Sequence, residues 1–389
     1  MTVQKLTRRD LLDITDGAVF LASGGGGPIS LKKAMVNLLV KEGPVVLASV
    51  DKVGDDDLVA VVAGAGSPAT LQKEGGIGSL AEASTKALTS LQQAVGKKVG
   101  YIVAIETGAG NTLLPMAAAV RLKIPVLDGA GARRSVPAIT MCTFGELPVS
   151  PIQVVDEHLN VIGLDIPEPK QAEDPLMTLI SMPQFGSLAG LAMWPMSGKV
   201  AKAAISRGTV SYSLRLGQEL RQARSKGSDP VAEATKFVKG YKLFGGTLKD
   251  VETHQVNSFD FTVVVLEDQS GKRLRLYGQN ETLIAWSSAS PYPLAMGPDL
   301  ICYVTKKGEP FSNADIQALP KDTEIAVVGA PAPPDLRTPK MEALFLANLR
   351  NLGYGGPYVS IEQLGRLKSV VHGAAHPVGR SGGNAVIGW

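Results

Sequence analysis

Two carboxylates and an amide stand at places where chemistry is usually done. An apolar run over residues 101–105 stops at Glu106, Gly108 and Gly110 flank the turn that leads to Asn111, small apolar residues fill 113–120, and a second run over 124–127 ends in Asp128. This pattern predicts strand, turn, helix and strand, with both acids and the amide at the carboxyl edge of a parallel sheet, where open α/β folds bind ligands. There a carboxylate can act as general base and an amide can donate to a developing negative charge. The same residues also have a structural reading, in which Glu106 sits at a helix start and Asp128 closes a turn. Arg133 and Arg134 follow, and one of them could pair with an acid or grip an anionic substrate, although a loop arginine is commonly just solvated.

A second polar group interrupts apolar runs further on, at Gln279, Asn280 and Glu281. In an unbroken strand, alternation sends Gln279 and Glu281 to one face and Asn280 to the other; the alternative is a surface turn. Buried polar side chains need partners, so the triplet is a candidate for substrate contact and Glu281 for proton transfer or metal ligation. His254 lies on an expected strand and is a weak candidate as metal ligand or base. His372 and His376 have the spacing of a zinc-binding helix but lack its glutamate and precede Pro377, and His158 belongs to an expected turn. A divalent metal such as zinc could be held by carboxylates with His254, but no residue pattern requires one. Cys142, near the Asp128 loop, is either a nucleophile or a small buried hydrophobe.

The elements that position these groups follow from periodicity. Residues 10–21 have helical spacing and run into four glycines at 24–27, after which Ser30 stands where an N-cap belongs. The glycine loop lacks the lysine of a phosphate loop and follows a helix where a dinucleotide fingerprint follows a strand, so no nucleotide is expected. Gly25 and Gly26 instead read as backbone lining of a pocket. Gly64 and Gly66 follow a strand but lack the rest of the fingerprint. Strands at 45–50, 58–63, 101–105 and 124–127 alternate with helices, so the first part reads as a three-layer α/β domain with a mostly parallel sheet. A hairpin is expected at 152–155 and 161–164, a helical pair within 187–223, and strands at 259–266, 274–277, 283–286, 300–304 and 324–328. The chain thus divides into an N-terminal α/β domain (1–167), a C-terminal domain of a helical pair followed by a β-rich part (168–361), and a flexible tail (362–389).

The 389 residues are 44% apolar with 43 glycines and a net charge of +3, enough to bury a large core and too evenly charged for nucleic acid. The two cysteines exclude a disulfide framework. No apolar run reaches the roughly 18 residues of a membrane span and no signal-like start is present, so a cytoplasmic protein without membrane contact is expected, and its glycine-rich, apolar character suggests a homo-oligomer.

Taken in order, Ile14-Thr15-Asp16, the glycines 24–27, Glu106 to Asn111, Asp128 to Gly131 with Arg134 and Pro137, Pro195 to Gly198, Gly208 to Ser211, Gln279 to Glu281 and Gly297 to Ile301 resemble the S-methyl-thiohydantoin desulfurase-like family, a hydantoinase-associated group, from about residue 8 to about residue 360. The resemblance implies an N-terminal α/β domain, a C-terminal β-rich domain, and hydrolytic removal of sulfur from C2 of a five-membered ring to leave a hydantoin. Ala130 and Ala138 stand where the family tends to carry an aspartate and a glutamate. The resulting expectation is a hydrolase of a small heterocycle, with Glu106, Asp128 and Glu281 as catalytic groups and Gly25, Gly26, Asn111, Arg134, Gln279 and Asn280 as substrate contacts. The alternatives are a non-catalytic binding or regulatory member that lost the acids, or a subunit of a hydantoinase or oxoprolinase assembly.

Overall fold

The computed structural model describes residues 3–66, 76–182, 185, 188–256 and 259–366. The first part runs β1 (Val3–Leu6), α1 (Arg8–Leu21), α2 (Lys32–Glu42), β2 (Val45–Ala48), β3 (Leu58–Gly66), α3 (Gly76–Val95), β4 (Tyr101–Ala104), α4 (Ala109–Leu122), β5 (Val126–Ala130), β6 (Ile152–Val155), β7 (Val161–Leu164), α5 (Pro169–Ser181), β8 (Leu188–Ser197), α6 (Gly198–Ala204), β9 (Ser206–Arg207) and α7 (Thr209–Lys226). The second runs α8 (Pro230–Phe237), β10 (Tyr241–Val256), β11 (Phe259–Glu267), β12 (Arg273–Gln279), β13 (Glu281–Ser287), β14 (Ala295–Met296), β15 (Leu300–Thr305), α9 (Asn313–Ile316), β16 (Glu324–Ala330) and α10 (Pro339–Asn351).

The first sheet has the order β1-β2-β5-β4-β3-β8-β6-β7, with β9 added to β5. Its centre, β2-β5-β4-β3, is parallel, and the flanking strands β1, β8, β6 and β7 join antiparallel. Strand β3 shows why the domain has three layers. Leu58, Ala60 and Val62 pack into one apolar cluster with α3 and α4, whereas Val59, Val61 and Ala63 enter a second with Phe144, Leu176 and Met193. Alternation along one strand therefore feeds two cores. The second sheet, β14-β13-β12-β11-β10-β16-β15, is antiparallel throughout and barrel-like. The second cluster of β3 also takes in Leu283, Leu300 and Cys302 from this sheet, so the two parts share a core.

Several expectations change. Residues 188–197 form strand β8, and helix begins only at Gly198 and again at Thr209. The small residues that suggested a helical pair serve helix-on-sheet contact instead: a Cβ at Gly190 would overlap the backbone of Ser84 on α3. Pro195 is tolerated because β8 has a register shift opposite Val59 and Val61. Ser30 is not an N-cap; α2 is preceded by a 3-10 turn at Ile29–Leu31, and the Ser30 N–H donates to Asp315. Gln279 and Glu281 do not share an unbroken strand; they face each other across a tight turn at Asn280, which has φ of +58°. Residues from 367 on, with His372 and His376, lie outside the described residues.

Helix α1 delivers the glycine loop, and its seat is unusually close. Gly17 lies against the backbone of Ser213 on α7, and Gly217 on α7 lies against the backbone of Asp13. Buried Asp13 accepts three bonds from Arg221, at 2.9 and 3.1 Å from Nε and 3.0 Å from Nη2, and Asp16 pairs with Lys32 and Arg224. A methyl at Gly17 has only backbone to displace. Gly17→Ala is expected to destabilise the fold by about 3 kcal/mol, the upper end of ordinary overpacking, and a shift in the denaturant midpoint measures it.

Candidate functional site

The site begins where α1 ends. Ser23 has φ of +53°, and Gly24, Gly26 and Gly27 have φ of +90°, +67° and +98°, a path that only glycine follows readily. Space imposes the same choice: a Cβ at Gly24 would overlap the Tyr303 hydroxyl and Asn313, one at Gly25 the Glu281 carboxyl, and one at Gly26 Ser135 and Gly108. The loop is fixed from three directions. Thr282 N–H donates to Ser23 O at 2.7 Å, Asn313 N–H to Gly24 O at 2.8 Å, and Gly110 N–H to Gly26 O at 2.7 Å. Asp315 accepts from Ile29 and Ser30, tying the following turn to α9.

Around this loop lies a cavity of about 650 Å³, well within the range of ligand sites. Its lining includes polar residues, Glu106, Asn111, Asn280, Glu281, Asp260 and Asn313, and apolar ones, Leu80, Leu114, Leu176, Met177, Leu191 and Met193. Glu106 lies two residues past the end of β4 and is buried. Its Oε1 accepts from Asn111 Nδ2 at 2.8 Å and its Oε2 from Val136 N–H at 2.7 Å, while Asn111 Oδ1 accepts from Gly64 N–H at 3.0 Å. The amide therefore joins the ends of β3 and β4 through the acid. Burial pushes Glu106 up to about 7, and its hydrogen bonds hold it from going higher.

Glu281 is buried as well, with fewer compensations: Oε2 has no partner among the described residues. Burial, followed by the negative charge of Glu106, raises its carboxyl well above the usual range, and the Arg134 guanidinium only partly opposes this. A protonated Glu281 next to an ionisable Glu106 is the arrangement these environments favour. Two acids that sequence reasoning passed over share the cavity. Glu173, on α5, is pushed up to about 7 by burial and accepts from Ile139 N–H at 3.1 Å. It thus sets a carboxylate beside Ala138, a cavity residue. Asp260 is raised by burial. Their signal in the sequence was slight, since Glu173 sits in a charged helix and Asp260 at a strand start.

Of the expected groups, Gly25, Gly26, Glu106, Asn111, Asn280 and Glu281 come together at the cavity. Four others do not. The Asp128 carboxylate accepts from Ser211 N–H at 2.9 Å in the first turn of α7, so it secures a helix start rather than facing the cavity. Arg134 is fully buried with its guanidinium on the carbonyls of Ser135, Pro298 and Asp299, at 2.9 Å each, and over the Phe345 ring. With every well-placed donor engaged, it holds the two domains together and leaves no fork for a substrate anion. Gln279 is buried behind the turn, off the cavity wall. His254 is exposed, and alternation along β10 turns it away from Thr253 and Gln255, which line the cavity.

Cys142 is fully buried, and burial pushes its thiol up to about 12, which suppresses the thiolate a nucleophile needs. Among the described residues no three His, Cys, Asp or Glu side chains are grouped to hold a metal ion. No described helix is long and apolar enough to cross a membrane.

The raised carboxyls bear on stability. An acid that binds its proton more tightly folded than unfolded favours the fold at low pH, and that contribution is lost as pH rises from the unfolded value through the folded one. For Glu106 and Glu173 the window runs from 4.5 to about 7; for Glu281 it extends higher. Glu281→Gln, isosteric and uncharged, is expected to leave stability near pH 5 little changed and to raise it above neutrality. Urea denaturation of both proteins at pH 5 and pH 8.5 measures this.

Known proteins share this architecture. Residues 9–165 match the S-Me-THD-like N-terminal domain and residues 169–361 the S-Me-THD-like C-terminal domain. A protein from Chromobacterium violaceum, solved by X-ray crystallography as a structural-genomics target, is similar at 30% identity with a TM-score of 0.80, over 92% of this chain and 99% of that one. No curated protein matches. With both of its domains matched in order over nearly all of the described residues, the chain belongs to the S-methyl-thiohydantoin desulfurase-like family.

Proposed function

We propose that the protein hydrolyses a small cyclic amide-type heterocycle at an sp² ring carbon, with an S-methyl-thiohydantoin converted to a hydantoin and methanethiol as the leading reaction. The observation that carries this reading is the pair of buried carboxyls on the cavity wall, Glu106 hydrogen-bonded through both oxygens and Glu281 with a free one. Two acids whose surroundings favour opposite protonation states are what a reaction needs when one proton must be taken and another given. Family membership supports the substrate class.

Attack and collapse divide the proton transfers between the two acids. Ionised Glu106 takes a proton from water as its oxygen bonds to C2, the C2=N1 π pair moves to the ring nitrogen, and that nitrogen takes the Glu281 proton. On collapse the C2–S bond breaks, the Glu106 proton leaves with sulfur as methanethiol, the hydroxyl proton returns to Glu281, and C2=O forms. Asn111 keeps Glu106 oriented for the first transfer. The tight Gly25 backbone leaves Glu281 at the cavity surface.

Incubation of the purified protein with a thiohydantoin and its S-methyl derivative, followed by loss of ring absorbance and release of sulfide or methanethiol, tests the reading. Tight binding without turnover would instead support a non-catalytic binding protein. Glu106→Gln and Glu281→Gln are each expected to reduce kcat roughly 100-fold or more if they move protons, whereas near-wild-type rates remove them from the mechanism. The rate is expected to rise as pH passes through about 7, where Glu106 ionises, and to fall at higher pH as Glu281 loses its proton. A flat profile in Glu106→Gln at the acidic side would identify the group responsible.

A further inference from the structure

The β-rich wall of the cavity carries a donor and an acceptor that the hydrolytic step does not use. Strands β10 and β11 pair Gln255 with Asp260 and Thr253 with Thr262, and all four side chains border the cavity. Thr253 and Thr262 bond each other, and Gln317 bonds Thr253. Asp260 differs from the two threonines: it lines the cavity, is half-buried, and its carboxylate, like the Gln255 side chain opposite it, has no hydrogen-bond or ionic partner among the described residues. Asn280 sits next to it and is locked in place. Its N–H donates to Asp260 O at 2.8 Å, its Oδ1 accepts from Asp260 N–H at 2.8 Å, and its carbonyl accepts from Asn313 Nδ2 at 2.7 Å.

Because Oδ1 takes a backbone N–H, the Asn280 amide has one orientation, and Nδ2 is the atom left over, with no partner among the described residues. A carboxylate acceptor and an amide donor, on residues hydrogen-bonded to each other through the Asp260 backbone, thus both border the cavity without a partner among the described residues. A cation would satisfy Asp260 but would leave Nδ2 facing positive charge. A cis-amide edge, with N–H next to C=O, satisfies both.

We infer that Asp260 and Asn280 select the substrate by its ring amide, the carboxylate accepting from ring N3–H and Asn280 Nδ2 donating to the C4 carbonyl. This rests on the hydrolase reading of the same cavity. The edge is the one that stays the same between an S-methyl-thiohydantoin and its hydantoin, so hydantoin itself can serve as the probe.

Calorimetric titration of the full chain with hydantoin, 1-methylhydantoin and 3-methylhydantoin tests the assignment without requiring turnover. The wild type is expected to bind the first two alike and 3-methylhydantoin roughly 10- to 100-fold more weakly, the value of a hydrogen bond to a charged group. Asp260→Ala is expected to bind all three with the weaker affinity. Equal affinity of the wild type for the two methyl derivatives overturns the inference while leaving the hydrolase reading intact, and it needs no variant to fold. Unchanged hydantoin affinity in Asp260→Ala overturns it as well. If the wild type binds no hydantoin, the inference fails, whereas the hydrolase reading stands or falls on turnover of the S-methyl-thiohydantoin.

Discussion

The arrangement of the site depends on how closely one stretch of backbone is packed. Between Ser23 and Gly27 the chain passes between the ends of the two sheets, with Gly108 on one side and Glu281, Tyr303 and Asn313 on the others. Its carbonyls accept from Gly110, Thr282 and Asn313, so three elements distant in sequence take their positions from one turn. At Gly24, Gly25 and Gly26 no side chain fits, and any that was forced in would push apart the acid pair, the helix start of α4 and the α9 segment together. The close crossing of α1 on α7 has the same character, since it sets the height at which the turn enters the seam.

Electrostatics inside the seam is decided by desolvation. Glu106 and Glu281 both lose water, and for each the burial penalty exceeds what the neighbours return. Glu106 recovers part through two donors, which stabilise its charged form; Glu281 has no such pair, and adding a second charge next to the first is unfavourable. Arg134 supplies positive charge without a direct carboxylate bond, its donors being engaged by carbonyls. It influences the acids at a distance while remaining a structural tie.

The order of strands and helices could be read from the sequence because apolar period and glycine position are local signals. Thus β3, β4, α4 and most of the second sheet fall where alternation and helical spacing put them. Leu188–Ser197 misled because small residues look alike whether they pack helix on helix or helix on sheet; only the position of Ser84 distinguishes the cases. At the site, Glu106, Asn111 and Glu281 were legible as polar residues interrupting apolar runs. Asp128 and Arg134 carried the same signal, yet their partners, Ser211 and the carbonyls of Pro298 and Asp299, lie far along the chain. Glu173 and Asp260 were invisible for the converse reason, since nothing in their local sequence marks them as facing a cavity.

The seam also sets the order in which the protein can be completed. Ser23 Oγ accepts from Ile301 N–H, and Asp315 holds the turn at Ile29, separations of 278 and 286 residues. During synthesis the glycine turn and Glu106 emerge while the residues that enclose them are still to be made. Contacts this distant in sequence form late and slow folding. The first sheet can pair its central strands early, and the face of β3 that meets Phe144, Leu176 and Met193 has its core completed only when the second sheet adds Leu283 and Leu300. A nascent chain ending between about residue 281 and residue 315 therefore carries both Glu106 and Glu281 without the Asp315 contact that holds the glycine turn.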